Sequence, residues 1–132
     1  MKESNFQFTE PSLKTIEFEE NEEFNSDEGK RIAIQSNLKV NNSMITDNEA
    51  MVELQLILGE RSSKVPFYMK TIFVAKFKWD SNLQEKNVEI FLNQNAPALL
   101  LSYARPIVSM VTNASHYPAY NIPFINFADK NN

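Results

Sequence analysis

Between Glu49 and Leu58 the sequence alternates without a break: Val52, Leu54, Leu56 and Leu58 stand against Met51, Glu53, Gln55 and Ile57. A helix turns about 100° per residue and would scatter that row around its circumference, whereas an extended chain puts the whole row on one face. The segment is therefore a strand with one buried side. Residues 31 to 40 repeat the pattern, with Ile32, Ile34, Leu38 and Val40 opposed to Arg31, Gln35, Asn37 and Lys39. From about Pro66 to Trp79, Phe73, Ala75, Phe77 and Trp79 share a face; Tyr68, Ile72 and Val74 lie on the other, as in a strand covered on both sides. A shorter stretch, residues 13 to 19, sets Ile16 and Phe18 against Glu17 and Glu19. Asp27-Glu28-Gly29, Asn41-Asn42-Ser43 and Gly59-Glu60-Arg61-Ser62-Ser63 break the strands as turns. Such short links cannot carry parallel crossovers, so four strands joined by them predict an antiparallel meander.

The period then changes. Val88, Phe91 and Leu92 fit a short helix within residues 83 to 93, and Asn95 can cap a longer one that has Pro97 in its first turn, where the missing N–H costs nothing. Leu99, Leu100, Tyr103, Ile107, Met110 and Val111 form an apolar stripe on that helix, broad for a chain of 132 residues. Part of it is expected to face another subunit. Pro106 lies within the helix and is expected to kink it or remove a hydrogen bond, costing about 3 kcal/mol that packing must offset. The predicted class is α+β: a four-stranded antiparallel sheet followed by a long helix packed on it, in one domain over residues 1–132. About 1–12 and 128–132 are expected to be flexible.

Composition removes several functions. With no Cys, and His116 as its one histidine, the chain has no thiolate zinc site, no disulfide and no cysteine nucleophile. Only Gly29 and Gly59 are present, so there is no glycine-rich phosphate loop, and Ser102, Ser109 and Ser115 stand in no nucleophile-elbow context. No enzyme activity, cofactor or metal is expected. A formal net charge of −4 disfavours nucleic acid. Residues 1 to 6 hold no signal-peptide core, and no apolar run is long enough to cross a bilayer, which predicts a cytoplasmic protein with no membrane insertion. The carboxylates Glu17, Glu19, Glu20, Glu22 and Glu23 read most simply as solvated surface. The ambiguous feature is the segment from Tyr117 to Phe127, which combines aromatics with Pro118 and Pro123 and cannot be a regular helix. It can cap the sheet as core, the reading composition favours, or line a groove.

Leu101-Ser102-Tyr103-Ala104-Arg105, then Ser109-Met110-Val111, Tyr117-Pro118, Asn121-Ile122 and Pro123-Phe124-Ile125-Asn126-Phe127 follow one another in an order and spacing that strongly resemble the bacterial protein-export chaperone SecB family. That family shows a Tyr-Ala-Arg helix with a Ser-Met-Val stretch, then Phe-Pro, an Asn-Leu pair and Pro-Val-Asn-Phe. Upstream, Lys14-Thr15-Ile16-Glu17-Phe18-Glu19 is similar to its first-strand motif Lys-Asp-x-Ser-Phe-Glu. The resemblance spans most of the chain and is strongest over the last third.

The resemblance implies a four-stranded sheet with a long helix, assembled as a homotetramer (a dimer of dimers) with helices packed between sheets, though a dimer also satisfies the helix stripe. The interface would then include Tyr103, Ile107, Met110 and Val111. It implies a holdase that keeps unfolded proteins or preproteins extended for export, with a client groove at Phe24, Tyr117, Tyr120, Ile122 and Phe124. By the same resemblance the export motor SecA docks on acidic sheet positions. Glu19 matches one of these and Glu17 stands beside it, while Thr15 replaces an aspartate and Lys70 falls at another acidic position. Members usually continue into a second helix and a tail that contacts SecA, whereas this sequence runs five residues past Phe127. Two other readings stay open: a dedicated SecB-like chaperone of one antitoxin in a toxin–antitoxin system, and a non-chaperone oligomeric adaptor whose groove is filled by its own side chains.

Overall fold

The computed structural model describes residues 2–25 and 32–128. Its sheet has strands β1 (Phe6–Glu20), β2 (Ser36–Thr46), β3 (Glu49–Gly59) and β4 (Phe67–Trp79). All neighbours are antiparallel, in the spatial order β1-β4-β3-β2. The alternating rows read from the sequence are the buried rows: Ala50, Val52, Leu54, Leu56 and Leu58 of β3 lie at 0–2% exposure. Phe67, Met69, Phe73, Ala75, Phe77 and Trp79 of β4 lie beside them in the same core.

Three expectations are corrected. Only β2, β3 and β4 form a meander; β1 pairs with β4, so β1 and β2 lie at opposite edges of the sheet. Residues 6–12 belong to β1 rather than to a flexible terminus, because Phe6 and Phe8 lie opposite Trp79 and Phe77, and Phe6 stacks on Phe91 with centroids 3.7 Å apart. The motif around Pro11 obscures this, since Glu10 takes a φ of 57° and the register slips between Thr9 and Ser12. An edge-strand bulge is where a proline without an N–H can sit. Asn41-Asn42-Ser43 is strand rather than turn, because continuous pairing with Glu53, Val52 and Met51 overrides weak local propensity. The turn comes at Asp47-Asn48, where the Asn48 side-chain amide donates to the Trp79 carbonyl at 2.9 Å. Ile32, Ile34 and Gln35 precede β2, and Arg31 and the Asp27-Glu28-Gly29 turn lie outside the described residues. The β3–β4 break is as expected: Gly59 has a φ of 70°, and a Cβ there would collide with the Phe67 carbonyl.

The helical part is one continuous run. Helix α1 (Glu85–Ile90) passes through a π-turn at Phe91–Asn95 into α2 (Ala96–Asn113). Asn95 does not cap, having helical φ and ψ of −74° and −43° and no side-chain cap bond. The wider turn has a physical cause in Pro97, whose ring would clash with the Asn93 carbonyl in a regular helix. Pro106 is exposed and α2 runs through it. Ala96, Leu100, Leu101, Ala104, Val108 and Thr112 of α2 are buried against β3 and β4.

Candidate functional site

From Ala114 the chain reverses and runs back beside α2 toward its start. Two side chains of the helix hold it there. Thr112 donates its hydroxyl to the Val108 carbonyl at 2.7 Å and accepts from the Tyr120 backbone N–H at 2.7 Å. About two turns earlier, the Arg105 guanidinium donates to the carbonyls of Ile122 and Pro123, the latter at 3.0 Å. A segment with two prolines cannot satisfy its backbone in a ladder, so these side chains supply the partners. Arg105 was visible in the sequence only as part of a motif, with no role attached.

The aromatic segment divides into three. At its start Tyr117 meets Phe24 edge to face, ring centroids 6.0 Å apart, so two of the expected groove residues are adjacent although far apart in sequence. In the middle Tyr120 is half-buried against the core and burial pushes its phenol above the usual 10.0. Ile122 is 6% exposed and belongs to the core, which corrects its expected place in the groove: Arg105 draws the backbone down and its side chain fills the space beside the helix. At the end, Phe124 stands 89% exposed. It borders a groove of about 560 Å³ walled by Ile125 and Phe127 on one side and Leu38 and Val40 of β2 on the other. Leu38 and Val40 read as core from their alternation; they reach the groove because β2 is an edge strand. Asn93 of the π-turn lines its floor.

The stripe expected at a subunit interface lies on the flank of α2 that the sheet leaves uncovered. Met110 is 63% and Tyr103 38% exposed, while Ile107 and Val111 are half-buried at the rim of the core. Tyr103 touches Phe8 of β1 edge to face at 6.2 Å. Met110 and Val111 border a second hollow with Phe18, Glu20 and His116. There the Glu20 carboxylate accepts from the His116 backbone N–H at 2.7 Å and lies 2.8 Å from Nδ1 of its ring. Those hydrogen bonds, the backbone one foremost, hold Glu20 below the usual carboxylate value of 4.5. His116 thus ties the end of α2 to the end of β1.

Glu17 and Glu19, the expected docking carboxylates, are both engaged by Arg61 of the β3–β4 connection, at 3.2 and 3.1 Å. Arg61 in turn lies over the Tyr68 ring at 4.2 Å. Among the described residues no cluster of three or more His, Cys, Asp or Glu is placed to hold a metal, and no helix is long and apolar enough to cross a membrane.

A sheet with one helix-covered face, an open groove of mixed polarity at its edge and an exposed apolar helix flank is an architecture suited to contact with other chains. The particular family follows from comparison: the family SecB, preprotein translocase subunit SecB, matches residues 2–130, and the chain belongs to it. A protein-export protein SecB of Desulfotalea psychrophila is 25% identical over 104 residues; the match covers 76% of this chain and 66% of that protein, just under two thirds of its length. In fold the chain is similar to the SecB-like chaperone Rv1957 of Mycobacterium tuberculosis, solved with a ChAD peptide from the antitoxin HigA1. That match has a TM-score of 0.66 and 12% identity, and covers 91% of this chain and 90% of that one. The four-stranded antiparallel sheet followed by a long helix is shared between them.

Proposed function

We propose that this protein is a SecB-like holdase that keeps client polypeptides extended by burying their apolar side chains in the groove between β2 and the C-terminal segment. One observation carries the reading. Phe124, 89% exposed, stands with Ile125 and Phe127 across from Leu38 and Val40 in a groove that also carries Asn37 and Asn93, so that apolar side chains from two elements and polar groups beside them face one open hollow. Phe24 and Tyr117 extend the apolar surface at the other end of the segment.

Burial of one such ring stabilises a complex by roughly 1.5–3 kcal/mol, and ordering a flexible client offsets part of it. A single groove therefore holds weakly. Several grooves on one oligomer raise the effective concentration of each later contact, so avidity retains a long unfolded chain that one groove releases. The flank formed by Tyr103, Ile107, Met110 and Val111 is the surface through which copies assemble in this reading, into a tetramer built from two dimers. The chemistry is binding alone, and neither a cofactor nor a metal takes part. The cytoplasm, where preproteins await export, is the proposed compartment.

The test is suppression of aggregation of a chemically unfolded, slow-folding protein, with mass measured by light scattering in the same sample. Suppression that Phe124→Ser and Tyr120→Ser weaken without changing the mass supports the groove. No suppression at any ratio rejects general holding.

A second reading, a dedicated chaperone of one antitoxin, is favoured by Arg61, whose pairing with Glu17 and Glu19 offsets part of the acidic charge that docking to SecA would need. Protection of one antitoxin and of no unrelated unfolded protein would establish it.

A further inference from the structure

The face of the sheet opposite α2 is used neither by the groove nor by the assembly flank. Alternation puts Met51 and Ile57 of β3 on it beside Ile72 and Val74 of β4, all only half-buried. The charges around this apolar centre differ in sign from the protein as a whole, which carries −4. Four carboxylates lie on or beside this face and three cations engage them: Glu53 pairs with Lys14, Glu17 and Glu19 share Arg61, and Glu49 pairs with Lys76 at 3.0 Å. Lys78 lies alongside the last pair. Lys39 and Lys70 form no ion pair among the described residues. Their positions in the register are adjacent to the apolar centre: Lys70 lies between Ile57 and Glu17, the latter turned to Arg61, and Lys39 lies opposite Gln55, whose other neighbour is Ile72.

We propose that this face docks an extended, acidic protein segment, its carboxylates on Lys39 and Lys70 and its apolar side chains on Ile57, Ile72 and Val74. The geometry is specific. Lys39 and Lys70 are two strands and two residues apart, roughly 12 Å between Cα atoms at ordinary strand spacing, which an extended chain spans with carboxylates about four residues apart and on the same side. A nucleic acid fits less well, because a backbone of phosphates would meet the four carboxylates and leave the apolar centre unused. A basic segment would meet the surplus lysines. The surface is separate from the client groove, so one copy can hold a client and this partner at once.

The experiment uses the full chain and a labelled peptide of about twelve residues with two Glu four apart among Thr and Val, against the same peptide with Gln in their place. Fluorescence anisotropy should show the Glu peptide bound about tenfold more tightly, with the preference shrinking as salt rises from about 50 to about 300 mM. Lys39→Glu with Lys70→Glu should abolish the preference while melting temperature and aggregation suppression stay unchanged, and Phe124→Ser should leave it intact. Lys39→Gln with Lys70→Gln should give an intermediate value, which guards against a reversal that merely disturbs the sheet. Equal binding of the two peptides, a preference that survives both double variants, loss of binding in Phe124→Ser, or tighter binding of a single-stranded oligonucleotide than of the Glu peptide would each overturn the proposal.

Discussion

Helix α2 carries two apolar stripes of similar composition that meet different fates. Leu100, Ala104 and Val108 lie at 0–1% exposure against the sheet, while Tyr103 and Met110, a few residues away on the same helix, are 38% and 63% exposed. The first stripe is what the fold closes on, and the second is what the fold leaves for another molecule. Hydrophobicity alone does not separate them, because adjacent residues such as Tyr103 and Ala104 are about 100° apart around the helix and differ in the direction they face. The sheet chooses which direction becomes core.

Truncating the inner stripe should cost most. Leu100→Ala removes a side chain at 0% exposure and should destabilise the fold by roughly 2–5 kcal/mol, read from the urea midpoint. A loss below about 1 kcal/mol would mean that the two stripes are less different than their burial indicates. Arg105 sits between the stripes and should come next: Arg105→Ala frees two carbonyls and should cost about 1–3 kcal/mol, with faster backbone amide exchange around Tyr120 and Ile122. On the outer stripe, Met110→Glu should shift stability by less than about 0.5 kcal/mol yet lower the mass seen by light scattering. An unchanged mass would move the assembly surface off this flank.

The smallest effect concerns the contact beside that flank. Since Glu20 is held below 4.5 by its bonds from His116, its contribution is complete above that value and is lost as the pH falls through the lowered one. Glu20→Gln should therefore lower stability slightly above pH 4.5 and converge with the parent as the pH falls through the lowered value, which flattens the acid limb. A profile identical to the parent's would show that the tie between β1 and α2 does not form in solution.

Legibility followed burial. Strands β3 and β4 could be read almost to the residue because one face is wholly covered and alternation is then enforced by the cost of exposing the row. β1 and β2 are edge strands, and their limits were misread in both directions: β1 begins at Phe6 rather than near Leu13, and β2 continues to Thr46 through the Asn41-Asn42-Ser43 stretch. Their pairing is decided by partners the local sequence does not contain. In the candidate site, the fold brings Phe24 beside Tyr117 and leaves Phe124 exposed, whereas Ile122 went to the core. No residue type distinguishes Ile122 from its neighbours; its place in the folded segment, beside the core, does.

By itself the sequence determined the class of the protein. Period-two rows followed by a helical stripe can bury their apolar side chains only as a sheet with a helix across it. The absence of cysteine excluded disulfides and thiolate sites, and two glycines thirty residues apart excluded a glycine-rich phosphate loop. The tertiary structure alone decided that β1 lies next to β4, that Arg61 pairs with Glu17 and Glu19, and that α2 opens one flank while closing another. Those outcomes depend on contacts between residues far apart along the chain, whose free energies are set by which surfaces meet in space rather than by any local preference.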